Sequence, residues 1–88
     1  MDGVKNKKFV LTAAHCRSAR GLLHLTQQQV AEAAGVSERT IQLFEAEERR
    51  PYRETLKRIQ TAFEQRGIEF LNGGSPGVRL HPERSMVQ

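Results

Sequence analysis

The length, composition and charge of this 88-residue chain indicate one small globular domain. Apolar residues make up 38% and charged residues 27% of the sequence, a balance typical of folded proteins. No apolar run approaches the ~20 residues that cross a bilayer, and the first eight residues lack the apolar core of a secretory signal. The single cysteine, Cys16, has no intrachain disulfide partner, so we expect a protein of the reducing cytoplasm without a membrane partner.

The net charge of +4 is distributed unevenly along the chain. Residues 1–20 carry five bases and one acid, residues 21–48 one base and five acids, and residues 49–66 six bases and two acids. The two outer blocks therefore carry +4 each around a centre of −4. This arrangement suggests two contacts with phosphate strands, although ordinary solvated charge would give the same balance.

Two helices are predicted in the first half of the chain, after a flexible basic N-terminus of residues 1–8. The first runs from about Phe9 to Leu23, where Gly21 weakens its end. Thr26 and Gln29 have the spacing of a capping box, which begins a second helix from about Gln27 to Ala34 that Gly35 ends. The small and apolar residues that recur at helical spacing in the two helices are Ala13, Cys16, Ala19 or Arg20, and Leu23, and then Val30, Ala31 and Ala34.

Two further helices complete the predicted domain of residues 9–67. Ser37 caps a third helix, from about Glu38 to Glu47, and Pro51 breaks the chain after it. A fourth helix runs from about Arg53 to Gln65, and Gly67 ends it. Their apolar stripes consist of Ile41 and Phe44 in the third helix, and Leu56, Ile59, Ala62 and Phe63 in the fourth.

The C-terminal residues change from a helical to a strand-like pattern. Residues 68–71 and 78–80 have strand composition around a glycine-rich turn. We therefore predict an all-α fold of four to five helices with a short β extension at residues 68–80, and a disordered tail at residues 81–88.

The second and third helices meet at Ala33-Ala34-Gly35-Val36-Ser37, a tight turn that contains glycine and ends at a serine cap. Such a pair is typical of a helix-turn-helix, which presents the start of its second helix to the major groove of DNA. The run Leu25-Thr26-Gln27-Gln28-Gln29-Val30-Ala31-Glu32-Ala33-Ala34-Gly35-Val36-Ser37, followed by Thr40-Ile41 and Phe44-Glu45, resembles the Cro/repressor (XRE, lambda-repressor-like) helix-turn-helix family.

The resemblance covers residues 13–67 and implies a compact lambda-repressor-like domain. It implies sequence-specific binding of double-stranded DNA by a transcriptional regulator of the repressor type. By position, it implies a phosphate contact for Gln27 and an internal pair that links Arg20 of the first helix to Glu45 of the third. The positions that match the groove-facing residues of the recognition helix are Glu38, Arg39, Thr40 and Leu43. At Glu38, Arg39 and Leu43 the well-studied phage repressors often have amides, so their operator sequences do not transfer to this chain.

The periodicity of the third helix leads to the same surface. If Ile41 and Phe44 face inward, Arg39, Gln42 and Leu43 share the opposite face. Arginine pairs with guanine, glutamine with adenine, and leucine touches the thymine methyl group. Glu38 either accepts from cytosine or caps the helix and orients Arg39, and Leu43 alternatively packs in the core or against a protein. The residues assigned to phosphate contacts are Gln27, Ser37, Arg49, Arg50 and Arg53, and Lys5, Lys7 and Lys8 are candidates for a flexible arm.

The sequence gives little support to enzymatic function. His15 and Cys16 point about 100° apart on a helix, which suits a nucleophile and base poorly, and Cys16 is predicted to be a core residue. The three histidines have no metal-ligand spacing, and no cofactor or small-molecule ligand is indicated. The alternative to a DNA-binding regulator is an antitoxin-like protein-interaction module. In either case residues 68–80 are predicted to pair two copies as a homodimer, or to fold back over the domain's own helices.

Overall fold

The computed structural model describes residues 9–71 and 77–84. This part of the chain forms four α-helices, α1 (Ala13–Leu23), α2 (Gln27–Ala34), α3 (Glu38–Glu45) and α4 (Arg53–Glu64). An antiparallel hairpin of β1 (Ile68–Leu71) and β2 (Gly77–Leu80) follows, and a single 3₁₀ turn at Pro82–Arg84 ends it. The prediction of a helical domain with a C-terminal β extension is confirmed. The predicted flexible segment 1–8, most of the glycine-rich turn and residues 85–88 lie outside the described residues.

Helix α1 begins four residues later than predicted because Thr12 caps it. The Thr12 hydroxyl accepts the N–H of His15 at 3.2 Å, and the Thr12 N–H donates to His15 Nδ1 at 3.1 Å. This reciprocal pair is a capping box in which histidine replaces the usual glutamate or glutamine. The segment before it is therefore not helical, and Leu11 packs into the core.

The turns on either side of α2 have the predicted chemistry. Thr26 and Gln29 form a full capping box, and Gly35 ends the helix with a φ of 73°. Ser37 Oγ accepts the Thr40 N–H at 3.1 Å and so caps α3. Helix α3 ends at Glu45, two residues earlier than predicted, because Glu47 adopts the left-handed conformation with a φ of 60° and turns the chain.

The apolar faces predicted for the helices form one core. Helix α2 packs against both α3 and α4, while α1 packs against α3 and the hairpin. Cys16 is fully buried, as predicted. The other fully buried or nearly fully buried members include Ala19, Val30, Ala31, Ile41, Phe44, Ile59, Ala62 and Phe63.

The hairpin folds back over the domain's own helices. Phe70 lies opposite Val78 in the register, and its ring contacts those of Phe63, His15 and Phe9 at centroid distances of 6.1, 5.6 and 5.6 Å. Burial lowers the pKa of His15, which agrees with the acceptor role of its Nδ1. The apolar side chains of the extension thus have cover within a single chain.

The described residues include the first four of the predicted tail, 81–84, and His81 contacts the hairpin. The His81 N–H donates to the Gly67 carbonyl at 2.7 Å, and His81 Nε2 donates to the Glu69 carboxylate at 2.7 Å. These contacts close the open end of the hairpin against the end of α4.

We predict opposite effects of alanine at two glycines. Gly67 has a φ of 96°, and a Cβ there would lie 2.4 Å from the His81 carbonyl oxygen. Gly67→Ala should therefore lower the unfolding free energy by about 2–3 kcal/mol. Gly21 lies inside α1 with open space around it, so Gly21→Ala should raise that free energy by about 0.5–1 kcal/mol. Chemical denaturation followed by circular dichroism measures both, and equal stabilities for the two variants would contradict this account of the turn.

Candidate nucleic-acid interface

Helix α3 divides into an inward and an outward face, as its periodicity predicts. Ile41 and Phe44 are buried. The outward residues are Glu38, Arg39 and Gln42, which are exposed, and Thr40 and Leu43, which are half-buried. The side chains assigned to base contacts therefore lie on one continuous surface at the start and middle of the helix.

Hydrogen bonds within α3 already occupy part of this surface. Gln42 Nε2 donates to Glu38 Oε2 at the long distance of 3.5 Å, and the hydroxyls of Ser37 and Thr40 lie 2.9 Å apart. The Glu38 carboxylate has its partner one turn along the helix rather than at Arg39. Arg39, one residue after Glu38, is exposed and lies in the first turn of α3.

A groove of about 360 Å³ separates α3 from the start of α4. Its lining includes three arginines, Arg39, Arg49 and Arg50, and no carboxylate. Arg53 is also exposed, one residue beyond the lining residue Tyr52. The groove thus brings together six of the residues that the sequence predicts to contact DNA: Ser37, Arg39, Thr40, Leu43, Arg49 and Arg50. Four others, Gln27, Glu38, Gln42 and Arg53, do not line it.

Arg50 also reaches the segment before α1. Its Nη2 donates to the Leu11 carbonyl at 3.3 Å. Arg50 lines a second basic groove, of about 780 Å³, with Arg53 and Lys57. Arg50, a predicted phosphate contact, therefore also links the loop after α3 to the segment before α1.

The carboxylate of Glu45 lies behind this surface, at the end of α3. Arg20 binds it with two parallel bonds, from Nε to Oε2 and from Nη2 to Oε1, each 2.8 Å long. Gln27 Nε2 donates to Oε1 at 3.0 Å, and the Cys16 thiol donates to Oε2 at 3.1 Å. Only 4% of the Glu45 side chain is exposed, against 25% for Arg20. This is the internal pair that the family resemblance implies, enlarged to four residues.

Burial alone would raise the pKa of Glu45. The hydrogen bonds from Arg20, Cys16 and Gln27 outweigh burial and hold this pKa below its ordinary value of 4.5. The bond to Glu45 raises the pKa of Arg20 in turn. Burial, with the neighbouring carboxylate, raises the pKa of the Cys16 thiol, so Cys16 stays protonated as a donor.

Helix α1 fixes both ends of the helix-turn-helix. Arg20 Nη1 donates to the Leu25 carbonyl at 3.1 Å, directly before α2. Arg17 donates from its guanidinium to the Glu45 carbonyl at the end of α3, and it approaches the Glu47 carboxylate to 3.8 Å. Helix α3 is therefore held at its last residue, Glu45, in two ways. Arg20 binds the Glu45 side chain, and Arg17 binds the Glu45 main-chain carbonyl.

Three residues that bond to Glu45 were not predicted from the sequence to do so: Cys16, Arg17 and Gln27. Gln27, predicted to contact phosphate, uses one amide N–H on Glu45, so a phosphate contact there requires its second N–H and stays a prediction. Cys16 and Arg17 lie four and three residues before Arg20 on α1, a spacing that places them near one helix face. The spacing could have shown that Cys16 and Arg17 lie beside Arg20, but it does not show that all three bond to Glu45 of another helix.

Within residues 9–71 and 77–84, no group of three or more His, Cys, Asp or Glu side chains could hold a metal ion. None of the helices described has the length and apolar character needed to cross a membrane.

Comparison with known families supports the helix-turn-helix assignment. A family profile described as "Helix-turn-helix" matches residues 17–71, more than half of the chain. No curated protein matches the chain. The matched residues begin in α1 and end with β1, and they contain the Arg20–Glu45 pair, both capped turns and the whole groove between α3 and α4.

We predict that removal of the Glu45 carboxylate destabilises the domain strongly and changes its response to acid. Glu45→Ala leaves the Arg20 charge without its partner and should cost about 3–5 kcal/mol. Because the folded-state pKa of Glu45 is lowered, its contribution is complete above the unfolded value near 4.5 and is lost as pH falls through the lower folded value. As the pH falls below 4.5, the free energy of unfolding of the wild type should therefore fall more steeply than that of Glu45→Gln, which keeps the side-chain shape.

Glu48→Ala is the matched control, since it removes an exposed carboxylate three residues away. It should change stability by no more than about 0.5 kcal/mol. His15 titrates in both the wild type and Glu45→Gln, so the difference between their pH profiles isolates Glu45. Parallel profiles, or an unchanged melting temperature for Glu45→Ala, would contradict the role assigned to the cluster.

Proposed function

The chain belongs to the Cro/C1-type helix-turn-helix family of DNA-binding regulators, and we propose that it is a sequence-specific transcriptional repressor that inserts α3 into the major groove. The observation that carries the proposal is the exposed outer face of α3 next to a groove lined by three arginines. A chain bound at its operator would repress transcription by blocking the access of other proteins to the same DNA.

Arg39 is the proposed main reader of base sequence. It lies in the first turn of α3, the part of a recognition helix that contacts base edges. A guanidinium can bind guanine O6 and N7 with two bonds. Gln42, Thr40 and Leu43 would complete the contact, with Leu43 against a thymine methyl group and the Glu38 carboxylate disfavouring unsuitable bases.

The proposed phosphate contacts surround this reader. Arg49, Arg50 and Arg53 flank the groove between α3 and α4, and contacts of this kind set the register of a protein on the duplex without reading its sequence. Ser37 and the second N–H of Gln27 would add uncharged contacts at the starts of α3 and α2. Base reading and phosphate binding are thereby assigned to different side chains, which allows their separate removal.

We predict that two arginine variants lose DNA binding in different ways. Arg39→Ala should cost about 1–3 kcal/mol on the selected DNA sequence and relax the preference at one base pair. Arg50→Ala should weaken binding to selected and random DNA alike, and it should reduce the slope of log affinity against log salt concentration by about one. Mobility shift at graded salt, on DNA selected from a random pool, separates the two effects.

Arg58→Ala is the charge-matched control, because Arg58 is an exposed arginine of α4 that does not line the groove between α3 and α4. It should leave binding to the selected DNA within about twofold of the wild type. If Arg39→Ala and Arg50→Ala lose affinity equally on selected and random DNA, the division between readers and phosphate contacts is wrong.

A homodimer on two half-sites is the proposed binding unit. In the part of the chain that the structure describes, β1 pairs only with β2, so each strand has an outer edge. The His81 N–H donates to the Gly67 carbonyl, so Gly67 and His81 form a hydrogen-bonded pair of the ladder. Because hydrogen-bonded and non-hydrogen-bonded pairs alternate in an antiparallel ladder, the next pair, Ile68 with Leu80, and the pair Phe70 with Val78 are not bonded to each other. The main-chain N–H and C=O groups of these four residues therefore point to the outer edges. Such edges pair readily with another strand, and a second copy would satisfy them about a two-fold axis. The proposed pairing uses these main-chain groups, because Phe70, Val78 and Leu80 are already partly buried against the domain's own core.

We predict that DNA with two half-sites about one helical turn apart binds two chains cooperatively. A control duplex with the half-sites moved apart by about half a turn places them on opposite faces and should bind each chain independently. Light scattering should show a dimer at high micromolar concentration. Truncation after Gly67 is not a clean test, because it also removes the core residue Ile68. A monomer at all concentrations, with equal binding to both duplexes, would exclude the dimer.

A further inference from the structure

Tyr52 is an aromatic side chain whose exposure the domain itself does not explain. It is 85% exposed, against 52% for Val10 and 40% for Leu22, the other exposed large apolar side chains among the residues that the structure describes. A tyrosine ring has a large apolar surface, and its burial would be favourable. This exposure indicates a position that is covered in a complex.

The surroundings of Tyr52 indicate what covers it. Tyr52 lines the groove between α3 and α4 together with Arg39 and Leu43. The remaining charged lining residues of that groove are Arg49 and Arg50, and no carboxylate lines it. The chemistry of the groove is therefore cationic at several points and apolar at the tyrosine ring. A ligand that presents negative charge at intervals between apolar rings has the matching pattern, and the sugar–phosphate backbone of DNA is such a ligand.

The main chain of Tyr52 is held at the start of α4, but its side chain makes no capping hydrogen bond there. Tyr52 is the N-cap residue of α4, with φ and ψ of −62° and 159°, and it follows Pro51. The proline and the helix start restrict the backbone, so the ring is presented at low entropic cost.

We propose that Tyr52 is a DNA-contact residue that packs its ring on a deoxyribose of the strand beside α3 and donates its hydroxyl to a phosphate oxygen. This inference rests on the proposed function. Tyrosine hydroxyls are among the donors that proteins use for phosphate. Because the side chain is uncharged, the contact releases no counterion. It adds affinity for DNA of any sequence and leaves the salt dependence unchanged, unlike the contacts of Arg49 and Arg50.

The composition of the chain makes Tyr52 directly observable. It is the only tyrosine of the 88 residues, so the full chain grown with fluorotyrosine gives one fluorine resonance. That resonance should shift on addition of the selected duplex, and its relaxation by a soluble paramagnetic probe should decrease. A resonance that neither shifts nor becomes protected, although the duplex is bound, would overturn the proposal.

Three variants complete the test by mobility shift on selected and random duplexes. Tyr52→Ala should bind both about tenfold more weakly, and Tyr52→Phe about threefold more weakly through loss of the hydroxyl bond. Both should keep the salt slope of the wild type. Thr61→Ala, an exposed neutral change two turns further along α4, should bind like the wild type.

The outcomes separate this inference from the proposed function. If wild-type protein fails to select any DNA sequence, the proposed function itself fails. If the wild type binds its selected DNA and Tyr52→Ala binds it equally well, only the assignment of Tyr52 is wrong. A changed mass of Tyr52→Ala in light scattering, with unchanged DNA binding, would also overturn the assignment by showing that Tyr52 contacts another copy of the chain.

Discussion

The buried carboxylate of Glu45 joins three helices that otherwise share few polar contacts. Cys16 and Arg20 reach it from α1, Gln27 from the first turn of α2, and Glu45 itself is the last residue of α3. An isolated carboxylate at this depth would be unfavourable by several kcal/mol, so the donors have to arrive together. The geometry of the helix-turn-helix follows from this requirement, because neither α2 nor α3 can shift without breaking a bond to a buried charge.

This arrangement separates the residues that hold α3 from those proposed to contact DNA. The buried face and the last residue of α3 are fixed by the core and by α1. Arg39 and Gln42 on the outer face meet no such constraint and remain exposed. Substitution on that face can therefore change the exposed surface of α3 without altering the scaffold. The acidic centre of the chain also has an explanation, since Glu45 is an internal link and Glu47 lies near Arg17.

The β extension contributes in a different way, by covering α1. A two-stranded hairpin is marginal alone in water, and this one is stable because Phe70 packs against Phe63 and His15. Its other end is closed at Gly67, where a side chain would meet the His81 carbonyl. The extension is therefore an integral part of the domain, and its charged outward face and strand edges are the parts open to another chain.

Local sequence determined the helices, their capped starts and the helix-turn-helix, because capping and helical periodicity act within about four residues. Thr26, Gly35 and Ser37 lie where those rules place them, and Ile41 and Phe44 face inward as their spacing requires. The same rules missed the cap at Thr12, since histidine is not the usual partner. The family resemblance supplied Arg20 as the partner of Glu45, whereas tertiary structure alone decided the further donors to Glu45 and the folding back of Phe70. Gln27 and Cys16 lie 18 and 29 residues from Glu45, and no local pattern records which distant side chains meet once the helices pack.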